Sequence, residues 1–145
     1  MANLAIISKA RVAPVFLGHC RIRTFLAGAG GILAGQPFYF TPTGVVLPTV
    51  ASALGQYQMR GMALNDAGKG QAVDGLVEGY TDAIDVSALA YDALVYLSDT
   101  AGTFGTIAGT NSVVAGRVVP VSDRDPATGA PSKLLYIQSE MTRTW

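Results

Sequence analysis

The stretch from Gln36 to Gly79 decides the fold, because its pattern of short apolar runs recurs later in the chain. It contains the runs QPFYF at 36–40, GMALND at 61–66 and QAVDGLVE at 71–78. A second stretch contains DALVYLSD at 92–99, VAGRVVP at 114–120 and KLLYIQ at 133–138. Such runs, bounded by turn residues, are typical of β-strands.

The spacing of the two stretches is nearly the same. Phe38 and Gly61 are 23 positions apart, and Val95 and Gly116 are 21 positions apart. The similarity predicts an internal pseudo-repeat, with two similar halves of one β-rich body at about 35–80 and 92–138. Chance likeness between short apolar runs is the alternative.

Turn residues separate the runs. Thr41 to Gly44 has the proline and glycine of a hairpin turn, and Asp123 to Pro131 has the composition of a long loop. The sequence therefore predicts an all-β fold: a single-domain β-barrel or β-sandwich of short strands whose body spans residues 35–145. The sequence further predicts that residues 1–34 form an extended N-terminal arm. Because ordering an arm costs backbone entropy, we expect it to pack on a neighbouring subunit or a partner.

The composition favours a subunit of an assembly. Half of the 145 residues are hydrophobic and only 14% are charged. A free soluble monomer usually has a more highly charged surface. We therefore expect part of the exterior to be covered by other molecules.

The charges are unevenly distributed along the chain. Residues 1–65 contain five basic and no acidic residues, whereas residues 66–145 contain all ten acidic residues. This asymmetry could steer the N-terminal part onto an acidic surface, or the two parts could mix in space and cancel. Five scattered cations do not form a nucleic-acid footprint. The predicted assembly interface contains four cations of the arm and the terminal aromatic residue: Lys9, Arg11, Arg21, Arg23 and Trp145.

No motif for catalysis, metal binding or cofactor binding is found in the sequence. His19 and Cys20 are the only residues of their types, so they cannot build a zinc site, and neighbours on a strand point to opposite faces. Cys20 is expected to be a small buried residue. The Gly68-Lys69 pair lacks the remainder of a phosphate-binding loop. We predict no cofactor, no membrane span and no enzymatic activity.

Four segments together resemble the small capsid decoration, or cement, proteins of tailed bacteriophages. They are Gly35 to Phe40, Gly61 to Ala67, Val95 to Asp99, and Ala115 to Val118. With Φ for an apolar residue, they match that family's patterns G-x-P-Φ-x-Φ, G-Φ-A-L-x-D-A, Φ-Y-L-S-D and Φ-G-R-Φ. The resemblance covers about Gly35 to Gln138.

The resemblance implies a non-enzymatic structural protein made in the host cytoplasm and located on the exterior of the virion. Its partners would be the major capsid protein and copies of itself, often in a trimer, with no nucleic acid and no membrane. The arm would then contact the shell or the next decoration subunit. The alternative is a carbohydrate- or receptor-binding β-module that uses exposed Tyr39, Tyr57 or Tyr80 as a stacking surface.

Overall fold

The computed structural model describes residues 3–6, 14–15, 20–53, 55–124 and 129–138. These residues form ten strands and no helix, which confirms the predicted all-β class. The strands are β1 Pro14–Val15, β2 Arg21–Leu26, β3 Pro37–Phe40, β4 Val46–Pro48, β5 Gly61–Ala63, β6 Ala72–Thr81, β7 Leu94–Leu97, β8 Phe104–Gly105, β9 Val114–Arg124 and β10 Pro131–Gln138.

Strand β6 joins the two parts of one curled antiparallel sheet. At Leu76 it pairs with Ile22 of β2 and with Met62 of β5. Two residues further on, Glu78 pairs with β2 and with β10. Strand β2 therefore follows one side of β6, while β5 and then β10 follow the other side.

The two halves of the sheet have the same order of pairing. From the edge to the centre the order is β4-β3-β5-β6 in the first half and β8-β7-β9-β10 in the second. Phe38 lies opposite Gly61, and Val95 lies opposite Gly116. The two pairs whose spacing suggested a repeat are therefore equivalent cross-strand pairs.

The first half, which we call the first half-barrel, encloses a small apolar core. Its hairpin between β3 and β4 turns at Thr41 to Gly44 as predicted, with Gly44 at a φ of 88°. After β2 the chain forms a parallel bridge from Ala27 to Val46, and the Gly28 amide donates to the Val46 carbonyl at 2.9 Å. The buried residues inside are Ala27, Ile32, Phe38, Val46, Ala63, Ala67 and Val73.

The second half-barrel contains the larger core, and the N-terminal segment completes it. The Leu4 amide donates to the Phe104 carbonyl at 2.9 Å, and the Asp85 amide donates to the Ala5 carbonyl at 2.8 Å. Residues 3–6 thus lie between β8 and the segment after β6. The largest buried side chains of this core are Phe104, Met59, Met62, Leu76, Ile84, Leu97, Leu135 and Ile137.

The described parts of residues 1–34 pack on the body of the same chain. Residues 3–6 complete the second half-barrel, β2 pairs with β6, and the buried residues Ala27, Ile32 and Ala34 belong to the cores. These contacts supply the burial that we expected from a neighbour. A contact of the arm with a second subunit stays a prediction.

One boundary differs from the sequence prediction. Strand β9 continues past Pro120 to Arg124, so the strand includes Asp123 and Arg124, which we had placed in a loop. Pro131 pairs with Arg124, and the register shifts between Pro131 and Lys133. The long partner strand β10 therefore extends the pairing over residues whose composition favours a loop.

Glycine at the equivalent positions Gly61 and Gly116 is required by close packing. A Cβ atom at Gly61 would lie 2.7 Å from Phe38 Cζ and 2.9 Å from the Leu76 carbonyl oxygen. A Cβ at Gly116 would overlap the Tyr136 carbonyl oxygen. We expect Gly61→Ala and Gly116→Ala each to lower the free energy of unfolding by about 1–3 kcal/mol, because neighbouring strands must move apart. Urea denaturation measures this loss.

The matched control for both glycine variants is Gly68→Ala. A Cβ at Gly68 meets no atom closer than 3.4 Å, so we expect this variant to unfold close to the wild-type midpoint. Equal stability of all three variants would contradict the equivalent roles of Gly61 and Gly116.

Ile6 tests the closure of the second half-barrel. It packs against the large core and Gly35, beside a cavity of about 170 Å³. Ile6→Ala enlarges this cavity, and we expect it to lower the free energy of unfolding by about 1–2 kcal/mol because the side chain is half-buried. Ala5→Ser, at an exposed neighbour, should leave it unchanged. Identical urea midpoints for the two variants would show that residues 3–6 do not stabilise the fold.

Candidate assembly surface

Two of the five residues predicted for assembly lie on strand β2. Lys9, Arg11 and Trp145 are outside the described residues. The Arg21 side chain is 79% exposed, and its Nε lies 3.8 Å from Glu78 Oε2. Arg23 is exposed and forms no ion pair with the residues that the structure describes. The exposed cations of this surface are therefore Arg21 and Arg23.

Strand β2 is exposed on both faces. Five of its six residues are exposed, including Ile22 at 38% and Leu26 at 53%. Strand β2 lies at the edge of the sheet, where only Phe25 reaches the core. The sequence interpretation did not identify Ile22, Thr24 and Leu26 as surface residues.

Phe25 fixes β2 on the first half-barrel. Its ring centroid lies 5.4 Å from that of Phe38 and 5.2 Å from that of Phe40. These separations are typical of favourable aromatic pairs. Gly75 on β6 leaves room for them, since a Cβ there would lie 2.5 Å from Phe38 Cζ. Phe25 is thus the one side chain of β2 that adds core packing to the backbone pairing of β2 with β6.

A polar network fixes the start of β2. Tyr136 of β10 donates its hydroxyl proton to Glu78 Oε1 at 2.6 Å, and its ring lies 4.9 Å from that of Tyr80. Glu78 in turn lies beside Arg21. Because exposed ion pairs contribute about 0–1 kcal/mol, this network orients Arg21 more than it stabilises the fold.

Cys20, just before β2, is half-buried rather than fully buried as predicted. It packs on Gly79 of β6, where a Cβ would lie 2.5 Å from the sulfur. Gly79 has a φ of 148°, which side-chain-bearing residues rarely adopt. Cys20 therefore has a packing role at this contact.

The tyrosines of the alternative binding surface are largely covered. Tyr39 is only 8% exposed, and Tyr57 and Tyr80 are half-buried. Tyr80 already packs against Tyr136. The most exposed tyrosine in the described ranges is Tyr91, whose ring lies 5.1 Å from Lys133 Nζ and whose hydroxyl donates to the Pro131 carbonyl. Tyr91 and Lys133 thereby tie a surface loop to β10.

Within the described residues, no three or more His, Cys, Asp and Glu side chains come close enough to hold a metal ion. In the same part of the chain, no helix could cross a bilayer.

The recess beside β2, lined by Cys20 to Thr24, has a volume of about 660 Å³ and is open to solvent. The smaller cavity of about 170 Å³ lies under Leu4 and Ile6, between the N-terminal segment and the core.

Comparisons with family models, with curated proteins and with solved structures give no match to this chain.

Asp85, which follows β6, has an altered acidity. Its carboxylate accepts hydrogen bonds from the Ser87 hydroxyl at 2.6 Å and from the Ser87 amide at 3.1 Å. These bonds, the hydroxyl first, lower the pKa of Asp85 below its ordinary value of 3.8. A depressed pKa stabilises the fold above the unfolded-state value, and that contribution is lost as the pH falls through the folded-state pKa. The effect is small because Asp85 is exposed.

We expect an NMR pH titration to place the Asp85 pKa below 3.8 in the wild type and higher in Ser87→Ala, which removes the stronger bond. Ser112→Ala, at an exposed residue elsewhere on the surface, is the matched control and should leave the Asp85 pKa as it is in the wild type. An unchanged Asp85 pKa in Ser87→Ala would contradict the assignment of its cause.

Proposed function

We propose that this chain is a structural virion protein that binds the outer surface of an icosahedral phage capsid and stabilises it by bridging neighbouring subunits. The observation that carries the proposal is the resemblance of four segments to the capsid decoration proteins of tailed phages. These segments correspond to strands that occupy equivalent places in the two halves: β3, β5 with the turn after it, β7, and the middle of β9. The resemblance thus follows the architecture rather than one isolated motif.

The surface chemistry supports a role in assembly. The chain has few charged residues, yet it exposes Ile22, Leu26, Leu33 and Ile107, each by 38% or more. Arg21 and Arg23 are exposed beside Ile22 and Leu26. Apolar patches with neighbouring arginines are typical of protein–protein interfaces.

The mechanism follows from many modest contacts. Apolar burial contributes roughly 25 cal/mol per Å², so each contact between a decoration subunit and the shell is individually small. A subunit that touches two capsid proteins at once binds more tightly than either contact alone, because the second contact is intramolecular. Such bridging opposes separation of the capsid subunits under the pressure of the packaged genome.

The test is co-sedimentation of the purified protein with undecorated shells of the major capsid protein that is encoded with it. We expect saturable binding and a rise in the shells' thermal disruption temperature. Arg21→Gln removes one exposed cation, and we expect it to weaken binding by roughly two- to fivefold at low salt, as for a rim ion pair. Absence of saturable binding by the wild-type protein would contradict the proposed function.

The matched control is Lys69→Gln. Lys69 is an exposed cation in the turn after β5, next to the end of β2 that is opposite to Arg21, so its loss changes the net charge by the same amount at a different place. We expect Lys69→Gln to bind shells as the wild type does. Equal weakening by both variants would show that net charge, and not the position of Arg21, determines binding. Removing residues 1–23 is a poorer test, because residues 3–6 and the start of β2 belong to the fold.

A further inference from the structure

Loops from both half-barrels meet at one end of the molecule. Antiparallel pairing brings the ends of β2 and β5 beside the start of β6, the end of β4 beside the start of β3, and the end of β7 beside the start of β8. The Gly102 amide donates to the Thr49 carbonyl at 2.8 Å, and the Ala51 amide donates to the Ser98 carbonyl at 3.1 Å, which joins the two sets of loops. We call this surface the loop end; it comprises the described residues within 26–36, 49–56, 64–71 and 98–112.

The loop end carries the most exposed apolar side chains. Leu26 and Ile107 are each 53% exposed and Leu33 is 42% exposed, which are the three highest values among the large hydrophobic residues that the structure describes. Leu26 ends β2, Leu33 lies between β2 and β3, and Ile107 lies between β8 and β9. Exposed aliphatic side chains concentrated in one region indicate an interaction surface.

Charged residues are scarce in the loop end. Its sequence ranges contain only Asp66, Lys69 and Asp99. The Asp66 carboxylate accepts a hydrogen bond from the Ala34 amide at 2.8 Å. The Asp99 carboxylate accepts from the amide of Thr110 at 2.9 Å and from its hydroxyl at 2.8 Å. Both acids thus bind other atoms of the loops, and depletion of charge is typical of the core of a protein–protein interface.

The loops that carry the exposed residues are held in place by hydrogen bonds. The side chain of Asn111 donates to the Ala51 carbonyl at 2.6 Å and fixes the loop of Ile107. The Leu33 amide donates to Gln36 Oε1 at 2.9 Å and fixes the loop before β3. Loops that are already ordered lose little conformational entropy when a partner binds. The loop end is therefore organised for contact in the single chain.

The loop end and Arg21 lie at opposite ends of β2. Five steps along the strand separate Arg21 from Leu26, which at about 3.3 Å per residue gives roughly 17 Å. Bridging requires one subunit to bind two capsid proteins at separate places. The cationic start of β2 offers one such place, and the uncharged loop end offers another.

We propose that the loop end is a second contact with the shell, in which Leu26, Leu33 and Ile107 are buried against an uncharged, apolar surface of a capsid protein. An unpaired charge on the partner would lose its water there without gaining a counter-charge, which is why the partner surface is uncharged. This inference rests on the proposed function and adds the face of the chain and the chemistry of the partner. Because the contact is apolar, salt does not screen it, whereas salt weakens the contact of Arg21.

Substitution of Ile107 tests the contact in the co-sedimentation assay. Ile107→Ala removes most of the exposed side chain, and we expect it to weaken shell binding about tenfold at high salt, where Arg21 contributes least. Ile107→Glu puts a charge into the contact and should weaken binding further. The charge-matched control is Thr43→Glu, in the exposed hairpin turn at the other end, which should bind as the wild type does. Urea midpoints should be unchanged in all three variants, because both positions are exposed.

Thiol labelling identifies the buried face directly. In a Cys20→Ala background, Ala108→Cys places a thiol next to Ile107, and Thr43→Cys places one at the opposite end; both positions are exposed. We expect bound shells to slow the reaction of Ala108→Cys with a maleimide and to leave that of Thr43→Cys unchanged. Mass spectrometry of the labelled chain measures both rates.

Shell binding that both Ile107 variants leave intact, or equal labelling of Ala108→Cys with and without shells, would overturn the inference and leave the proposed function standing. Absence of saturable binding by the wild type would overturn both. Self-association of the wild type that Ile107→Glu abolishes while shell binding persists would assign the loop end to a second copy of the chain, and would also overturn the inference.

Discussion

The backbone pairing of β6 on both of its sides is the constraint on which the rest of the structure depends. Its ten residues pair with β1 and β2 on one side and with β5 and β10 on the other. Its side chains divide accordingly: Val73 belongs to the first core and Leu76 to the second. Gly75 and Gly79 lack a Cβ at the two positions where Phe38 and Cys20 pack directly against the backbone of β6. One strand thus holds two cores in a fixed relation without a linker between them.

The parts of the fold that the sequence could predict are those set by neighbouring residues. The hairpin at Thr41 to Gly44 and the strand-like runs follow from turn chemistry and apolar patterning, and both are present. The spacing of Phe38 from Gly61 anticipated a real cross-strand pair because the intervening hairpin fixes which residues can meet. The same holds for Val95 and Gly116.

The parts that the sequence could not predict depend on distant partners. Nothing local to Asn3–Ile6 indicates that it lies between Gly105 and Ile84. Ile22 is exposed because β2 lies at the edge of the sheet, and that position depends on the pairing with β6. Strand β9 runs through Asp123 and Arg124 because β10 pairs with it there. The candidate surface was therefore found from its arginines, and its apolar residues became visible only in the structure.

The completion of the second half-barrel by the N-terminal segment sets an order of events during synthesis. Asn3 accepts a hydrogen bond from Ser98, 95 positions later in the chain. During translation, residues 3–6 are made before β7 and β8 and can take their place only after those strands have been made. The first half-barrel, whose core is complete at Val73 of β6, can form before β7 and β8 have been made. The two similar halves therefore differ in how they fold: the first depends on contacts between residues closer in sequence, and the second also needs long-range contacts with residues 3–6.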